Sequence, residues 1–539
     1  TEQESKNLIK ETFENDFNRD RFKRFIANLL TDFQETSILY DGQYIKDAYK
    51  SYIKSYEVIA RFIDSEKRTL DVLITYLKTE ATFTARTRQR NFALDYLKSR
   101  NRDGILIAYV HKNGKDWRFS FVKLENDIIR GEHGKVKDIS SFTAAKRSSF
   151  LVGRHENSYT AKKQFLPIIQ REDRPKFEDI EEAFSVEAVT DEFFDKYEEL
   201  FHKVHDALER EIKRKPELKK EFGDKEISTV DFAKKLLGQM VFLYFLQKKG
   251  WFGVAPKADW GTGPKNFLRE LYKKREKYGH NFFNDVLEPL FYEALAQDRG
   301  RDSIYPRLNN CRMPFLNGGL FEPMRGYSWE ATDIFLPDEL FSNKNKDGED
   351  IGDGILDVFD RYNFTVNESD PLEKEVAVDP EMLGKVFENL LDVKDRKSKG
   401  SFYTPREIVH YMCQECLINY LETETKGEIP RRDIESLVLN GETIIQNDFV
   451  TLRKQREKED KGHKYPGTYK LKLPESIQKN ARKIDSLLKD IKVCDPAVGS
   501  GAFPLGMINE IVGARQVLQV YLRDNLSIYD LKYHAIANS

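Results

Sequence analysis

Asp495-Pro496-Ala497-Val498-Gly499-Ser500-Gly501-Ala502-Phe503 follows the short apolar run Ile491–Cys494 and leads into a helical pattern through Met507 and Ile511. An acid closing a strand, a tight glycine turn and a helix start make a place where a small ligand can meet the backbone. Gly499 and Gly501 put no Cβ in the way, and the helix N-terminus offers free N–H groups. Pro504 is compatible with this because it falls in the first turn. The loop is not built for phosphate, since no Gly-Lys-Ser/Thr follows, and it is not Gly-x-Gly-x-x-Gly either. Upstream, Gly400-Ser401-Phe402-Tyr403-Thr404-Pro405-Arg406-Glu407 reads as a second rigid helix start, with Thr404 as N-cap, Pro405 in the first position and Glu407 in the third. Its N–H groups suit a carboxylate.

Three kinds of element have to hold these segments. In residues 1–165 the runs Thr69–Leu77, Gly104–Val110 and Trp117–Val122 have strand length and β-branched or aromatic content, with a helix expected over Thr84–Lys98. This order predicts a small α/β domain. Residues 166–395 turn helical. Phe194, Tyr197, Phe201, Val204 and Leu208 line one face of a helix opened by Thr190-Asp191-Glu192. A second helix starts at Ser228-Thr229-Val230-Asp231, is apolar almost all round and stops at Gly250, and a third starts at Asp379-Pro380 and runs through Leu391. Residues 396–539 hold the two ligand-facing segments and the tract Arg453–Lys489, with twelve basic and five acidic residues. That excess suits phosphate contact, and it suits a solvated face better.

Asp-Pro-x-x-Gly-Ser-Gly-x-Phe resembles the first motif of the N6-adenine DNA methyltransferases, whose ligand is S-adenosylmethionine. Tyr403-Thr404-Pro405 resembles the motif that precedes the first strand in that family, and Leu383–Leu391 the helix before it. Pro314–Glu322 is similar to a segment of the same group. The overall pattern is most similar to the large single-chain enzymes of type IIG restriction-modification and phage-defence systems. The resemblance implies a class I, Rossmann-like methyltransferase domain whose first half begins near residue 396. It also implies a cofactor surface of Tyr403, Thr404, Pro405, Asp495, Pro496, Ala497, Gly499, Ser500, Gly501 and Phe503, and double-stranded DNA as partner. Two family features are missing: the acid ending the second strand, and the Asn/Asp-Pro-Pro-Tyr/Phe loop that grips a flipped adenine. No Pro-Pro pair occurs. The methyl-transfer residues are therefore expected beyond Ser539.

In type IIG enzymes the N-terminal position holds a Mg²⁺-dependent nuclease. Asp71, Lys78, Asp116, Lys123 and Glu125 are its raw material here, without the Asp/Glu-x-Lys spacing such a centre needs. A bifunctional endonuclease–methyltransferase and a non-catalytic DNA-binding module are the competing readings. Arg86, Arg88, Gln89 and Arg90 suit DNA backbone contact as well as a solvated face. Cys413-x-x-Cys416 sits within a helix without a second cysteine pair, so no metal site is expected. At 539 residues and 63.1 kDa, with 88 basic against 90 acidic residues, the chain calls for several domains and any nucleic-acid contact must be local. Four cysteines suit a reducing, cytoplasmic setting, and Met240–Leu246 is far short of the roughly 20 apolar residues a membrane span needs.

Overall fold

The computed structural model describes residues 1–78, 86–111, 115–124, 145–300, 303–316, 319–343, 352–365, 373–380, 404–462, 470–498, 501–522 and 526–537. Two helices, α1 (Glu2–Phe13) and α2 (Arg19–Leu29), precede the antiparallel meander β1 (Gln34–Asp41), β2 (Ile53–Ile63) and β3 (Thr69–Leu77). Helix α3 (Arg86–Arg100) crosses over to β4 (Gly104–His111), which pairs parallel with β3. Strands β5 (Asp116–Leu124) and β6 (Ala145–Gly153) continue antiparallel. The strands and helix expected from the apolar runs are thus present, each within a few residues of its predicted bounds.

Side chains alternate across the sheet, and both faces are covered. Leu70, Val72, Ile74, Leu106, Ala108, Val110, Trp117, Phe119 and Phe121 point to one face, into a core that continues through the helical residues to Val378. Leu73, Leu77, Ile105, Ile107, Tyr109 and Val122 point to the other, under α3. That second face also carries buried polar groups, among them Asp71, Thr75, Arg118, Ser120, Arg147 and Ser149.

Helices α4 (Tyr159–Ile169), α5 (Phe177–Glu182), α6 (Val186–Arg214), α7 (Pro216–Asp224), α8 (Thr229–Lys248) and α9 (Phe267–Lys273) pack on the first face or on one another. In α8, 13 of 20 residues are buried, so it is the centre of this layer, capped by Ser228 as its sequence predicts. Helix α6 starts a turn earlier than expected, because Ser185 caps it: the Ala188 N–H donates to the Ser185 hydroxyl. Its innermost residues are Phe193, Tyr197, Leu200 and Val204, with Phe194 and Phe201 at the flank. After a short hairpin, β7 (Ile304–Tyr305) and β8 (Cys311–Arg312), and helix α10 (Ile355–Phe359), the chain returns to the sheet. Strand β9 (Glu373–Glu375) pairs parallel with β6 and makes the seven-stranded order β1-β2-β3-β4-β5-β6-β9.

The rest is helical: α11 (Arg406–Glu424), α12 (Arg431–Glu459), α13 (Glu475–Lys479), α14 (Ala481–Asp490), α15 (Ala502–Gln519) and α16 (Ile528–Ala537). They enclose their own core of Leu417, Leu421, Ile434, Ile484, Ile511, Val517 and Leu518. Two expectations fail here. Helix α11 begins at Arg406 with Pro405, not Thr404, as its cap residue, and no side chain caps it. Ile491–Asp495 joins no sheet, since a strand exists only through its ladder partners and none of the described residues after Glu375 forms a strand. No described helix is long and apolar enough to cross a membrane.

Two buried acids test this packing. The Asp71 carboxylate is fully buried and accepts from Arg61 Nε at 3.0 Å, Arg102 Nε at 3.1 Å and the Tyr96 hydroxyl at 2.7 Å. Asp71→Ala leaves both arginines unpaired, and we expect urea titration to show a loss of about 3 kcal/mol, the low end for a broken buried pair because both arginines reach solvent. Glu288 lies between two π-helical turns, fully buried, and accepts from the Tyr327 hydroxyl. Burial pushes its pKa well above the usual carboxylate range, against the smaller opposing effect of that hydrogen bond. Raised in the fold and normal when unfolded, it stabilises fully below about pH 4 and progressively less as pH rises toward its folded pKa. Glu288→Gln should remove that slope, worth at most ~1.4 kcal/mol per pH unit, from a stability profile between pH 5 and 8.

Candidate functional site

Helices α11 and α15, which follow the two predicted ligand-facing segments, pack against each other in antiparallel order, Cys413 meeting Phe503 and His410 meeting Glu510, so the start of α15 lies beside Cys413, about 12 Å along α11 from Pro405. The contact is made possible by Gly506: a Cβ there would stand 2.8 Å from Val409 Cγ1 and 3.3 Å from Cys413 Sγ. Val409 and Cys413 are both buried, so the helices approach closely only because position 506 has no side chain. The Cys413 thiol reaches the Phe503 carbonyl at 3.7 Å. His410 Nδ1 pairs with the buried Glu510 carboxylate on α15, and the Gln414 amide lies 3.1 Å from His410 Nε2. Thr404 and Pro405 therefore lie just ahead of α11, and Gly501 just ahead of α15, with the two helices locked across one glycine. Sequence reasoning missed the His410–Glu510 pair and Gly506, although a glycine inside a helical pattern is itself a packing signal.

At the head of α15, Asp495 Oδ1 accepts from the Ala497 N–H at 3.0 Å, and the Gly501 N–H closes a turn on the Val498 carbonyl at 2.7 Å. Gly501 is the cap residue of α15 and has φ +82°, the left-handed region that a Cβ disfavours. Asp495 Oδ2 is enclosed and accepts no hydrogen bond among the described residues. A buried acceptor without a donor is uncommon and points to a ligand that supplies one. Pro496, Ala497 and Val498 are exposed around it, while Phe503 is partly buried. Tyr403, Gly499 and Ser500 lie outside the described residues, as does the Leu383–Leu391 helix.

The start of α11 is held from a different direction. Arg406 Nη2 lies 3.4 Å from Asp379 Oδ2, and Glu407 Oε1 lies 3.3 Å from Lys374 Nζ on β9. Lys374 also reaches Glu187 Oε1, in the first turn of α6, at 3.1 Å. Burial disfavours the Lys374 charge, but Glu187 and Glu407 outweigh it and raise its pKa. Glu373 and Glu375, on either side of Lys374, turn the other way into the polar face beneath α3. Glu373 Oε2 accepts from Arg147 Nε at 2.8 Å, and its other oxygen lies 3.7 Å from Arg90 Nε; Glu375 pairs with Arg86 and, at 3.9 Å, Arg118. Burial, then the Arg86 charge, push the Arg118 guanidinium down to about 9. Of Arg86, Arg88, Gln89 and Arg90, read from sequence as a DNA-facing or solvated set, Gln89 and Arg90 are buried and Arg86 nearly so, while Arg88 is exposed; Arg118 and Arg147 are buried beside them.

The nuclease candidates do not converge. Asp71 is saturated by its three donors, Asp116 pairs with His155 at 3.2 Å and Lys123 with Glu181 at 2.6 Å; Glu125 lies outside the described residues. Among the described residues no three acids, histidines or cysteines gather as metal ligands. Cys413 is buried, which pushes its thiol up to about 11, and Cys416 is exposed. Within the basic tract Arg453, Lys479 and Lys483 are ion-paired at the surface, with Glu457, Glu475 and Glu428, and Lys454 reaches Asp47 of the sheet domain at 2.6 Å. Pro314–Glu322, apart from Asn317 and Gly318, which are not described, is fastened to α8. Lys235 Nζ donates to the Gly319 and Glu322 carbonyls and the Gln239 amide to the Leu320 carbonyl.

No family profile and no solved structure matches the chain. A protein of Methanocaldococcus jannaschii, provisionally described as a type II restriction enzyme and methyltransferase, is 27% identical over 374 residues. The match takes in 66% of this chain and only 28% of that protein's length. The chain is thus distantly related to a restriction-modification enzyme and methyltransferase.

Proposed function

We propose that this chain forms part of a DNA adenine-N6 methyltransferase of a restriction-modification or phage-defence system, with S-adenosylmethionine as methyl donor and double-stranded DNA as substrate, acting in a reducing, cytoplasmic setting. The observation that carries the reading is the enclosed Asp495 Oδ2, which has no donor among the described residues, beside the glycine-capped start of α15. It fits a ligand that brings an ammonium or hydroxyl donor, and the free N–H groups at the starts of α11 and α15 fit a carboxylate. Both groups belong to S-adenosylmethionine, which when bound supplies an electrophilic methyl on a sulfonium.

In this reading Asp495 accepts from the cofactor, and Pro496, Ala497, Gly499, Ser500 and Gly501 belong to its binding surface. Thr404 and Pro405, with Tyr403, close the methionine end, and Phe503 anchors the turn. Residues 396–539 are the first half of a class I methyltransferase domain, residues 166–395 a helical connector and residues 1–165 the N-terminal α/β domain. The description of the M. jannaschii relative also favours a restriction activity. The donors around Asp71 leave no room for that residue to hold Mg²⁺, so a cleavage centre would lie elsewhere.

Calorimetric titration of S-adenosylmethionine into the full-length protein should give saturable binding. Asp495→Ala should weaken it by at least tenfold, since a buried charged acceptor contributes about 1.5–3 kcal/mol. Absence of binding, or binding indifferent to Asp495→Ala, would sink the reading.

A further inference from the structure

Lys374 is the residue of β9 whose side chain turns away from α3, and it bridges carboxylates in the first turns of two other helices, Glu187 of α6 and Glu407 of α11. A carboxylate in a helix's first turn is favourable for the helix but unfavourable for any second anion approaching the same N–H groups. Glu407 occupies that position on α11, immediately after Thr404-Pro405. Five charges meet there: Lys374 and Arg406 against Glu187, Glu407 and Asp379.

We propose that Lys374 is a positioning residue for the anionic end of the ligand bound between α11 and α15: it neutralises Glu407 and ties the start of α11 to the N-terminal sheet through β9. This rests on the S-adenosylmethionine reading above, whose methionine carboxylate is that anionic end. The N-terminal sheet thereby contributes to ligand binding without touching the ligand. Glu373 and Glu375, clamped by Arg147 and Arg86, keep the lysine from following the helix if α11 shifts.

Titration of S-adenosylmethionine into the full-length protein and its variants separates charge from scaffolding. Lys374→Met should weaken binding about fivefold, the upper end of the usual effect of one charge at a helix terminus, about 1 kcal/mol. Lys374→Arg should stay within about twofold of wild type. The decisive variant is Lys374→Met combined with Glu407→Gln: with the uncompensated carboxylate gone, affinity should recover to within about twofold. A double variant as weak as Lys374→Met alone, or a Lys374→Met that binds normally, overturns the proposal. Wild-type protein that binds no S-adenosylmethionine removes the cofactor reading and this role together, whereas binding indifferent to Lys374 removes this role alone.

Discussion

A fully buried arginine needs a carboxylate, and the one Arg147 has comes from 226 residues further along the chain. The pair sets much of the architecture. Leaving a buried guanidinium without its partner costs about 3–5 kcal/mol, so β6 is not complete until β9 has docked. Everything between, from α4 to α10, has to form a loop whose ends meet at this sheet edge. One apolar core running from Ile9 to Val378 is the result. Gln89, whose side chain accepts from Arg147 Nη1 at 2.9 Å, draws α3 into the same arrangement, and the Tyr109 hydroxyl bonds the Gln89 carbonyl at 3.0 Å.

The C-terminal helices have a separate core, and among the described residues they meet the sheet domain through Lys374–Glu407 at β9, the Asp379–Arg406 pair, the Lys454–Asp47 pair, and α12 beside α3, where the Asn91 amide meets the Glu442 carbonyl at 3.5 Å. Their surface is unlike that of the sheet domain. Ile408, Tyr411 and Met412 form an exposed apolar stripe on α11, and Val493, Val498 and Leu505 are exposed near the candidate ligand site. These residues are spaced for burial yet remain open among the described residues. The Ile491–Asp495 run reads as a strand by its sequence and has no strand to pair with among the described residues.

What could be read from the sequence divides along the same line. Local patterns were legible: the runs that became β3, β4 and β5, the Ser228 cap of α8, and the apolar circumference of that helix all follow from a few adjacent residues. Pairings across long separations were not. Nothing in Glu373-Lys374-Glu375 marks it as a strand, because its three residues are charged and its stability comes from partners in β6, α3, α6 and α11. For the same reason Arg86 and Arg90 read as DNA-facing or solvated, since burial of arginine depends on acids that sequence distance conceals. At the candidate site the glycine turn and the helix starts were visible as motifs, whereas Gly506 and His410–Glu510, which set how the two helices meet, depend on a packing angle that no motif encodes.

The charge order of β9 also fixes its register. Three residues make too few backbone hydrogen bonds to specify a pairing, and an isolated short edge strand is prone to slip. A slip of one residue exchanges the two faces. Lys374 would then enter a buried face already holding Arg86, Arg90, Arg118 and Arg147, and a glutamate would face Glu187 and Glu407. Both exchanges put like charges together in poorly solvated places, where the repulsion is far stronger than in water. The alternation of acid, base and acid therefore does for β9 what alternating apolar residues do for longer strands, and it permits only the register in which Lys374 meets the first turn of α11.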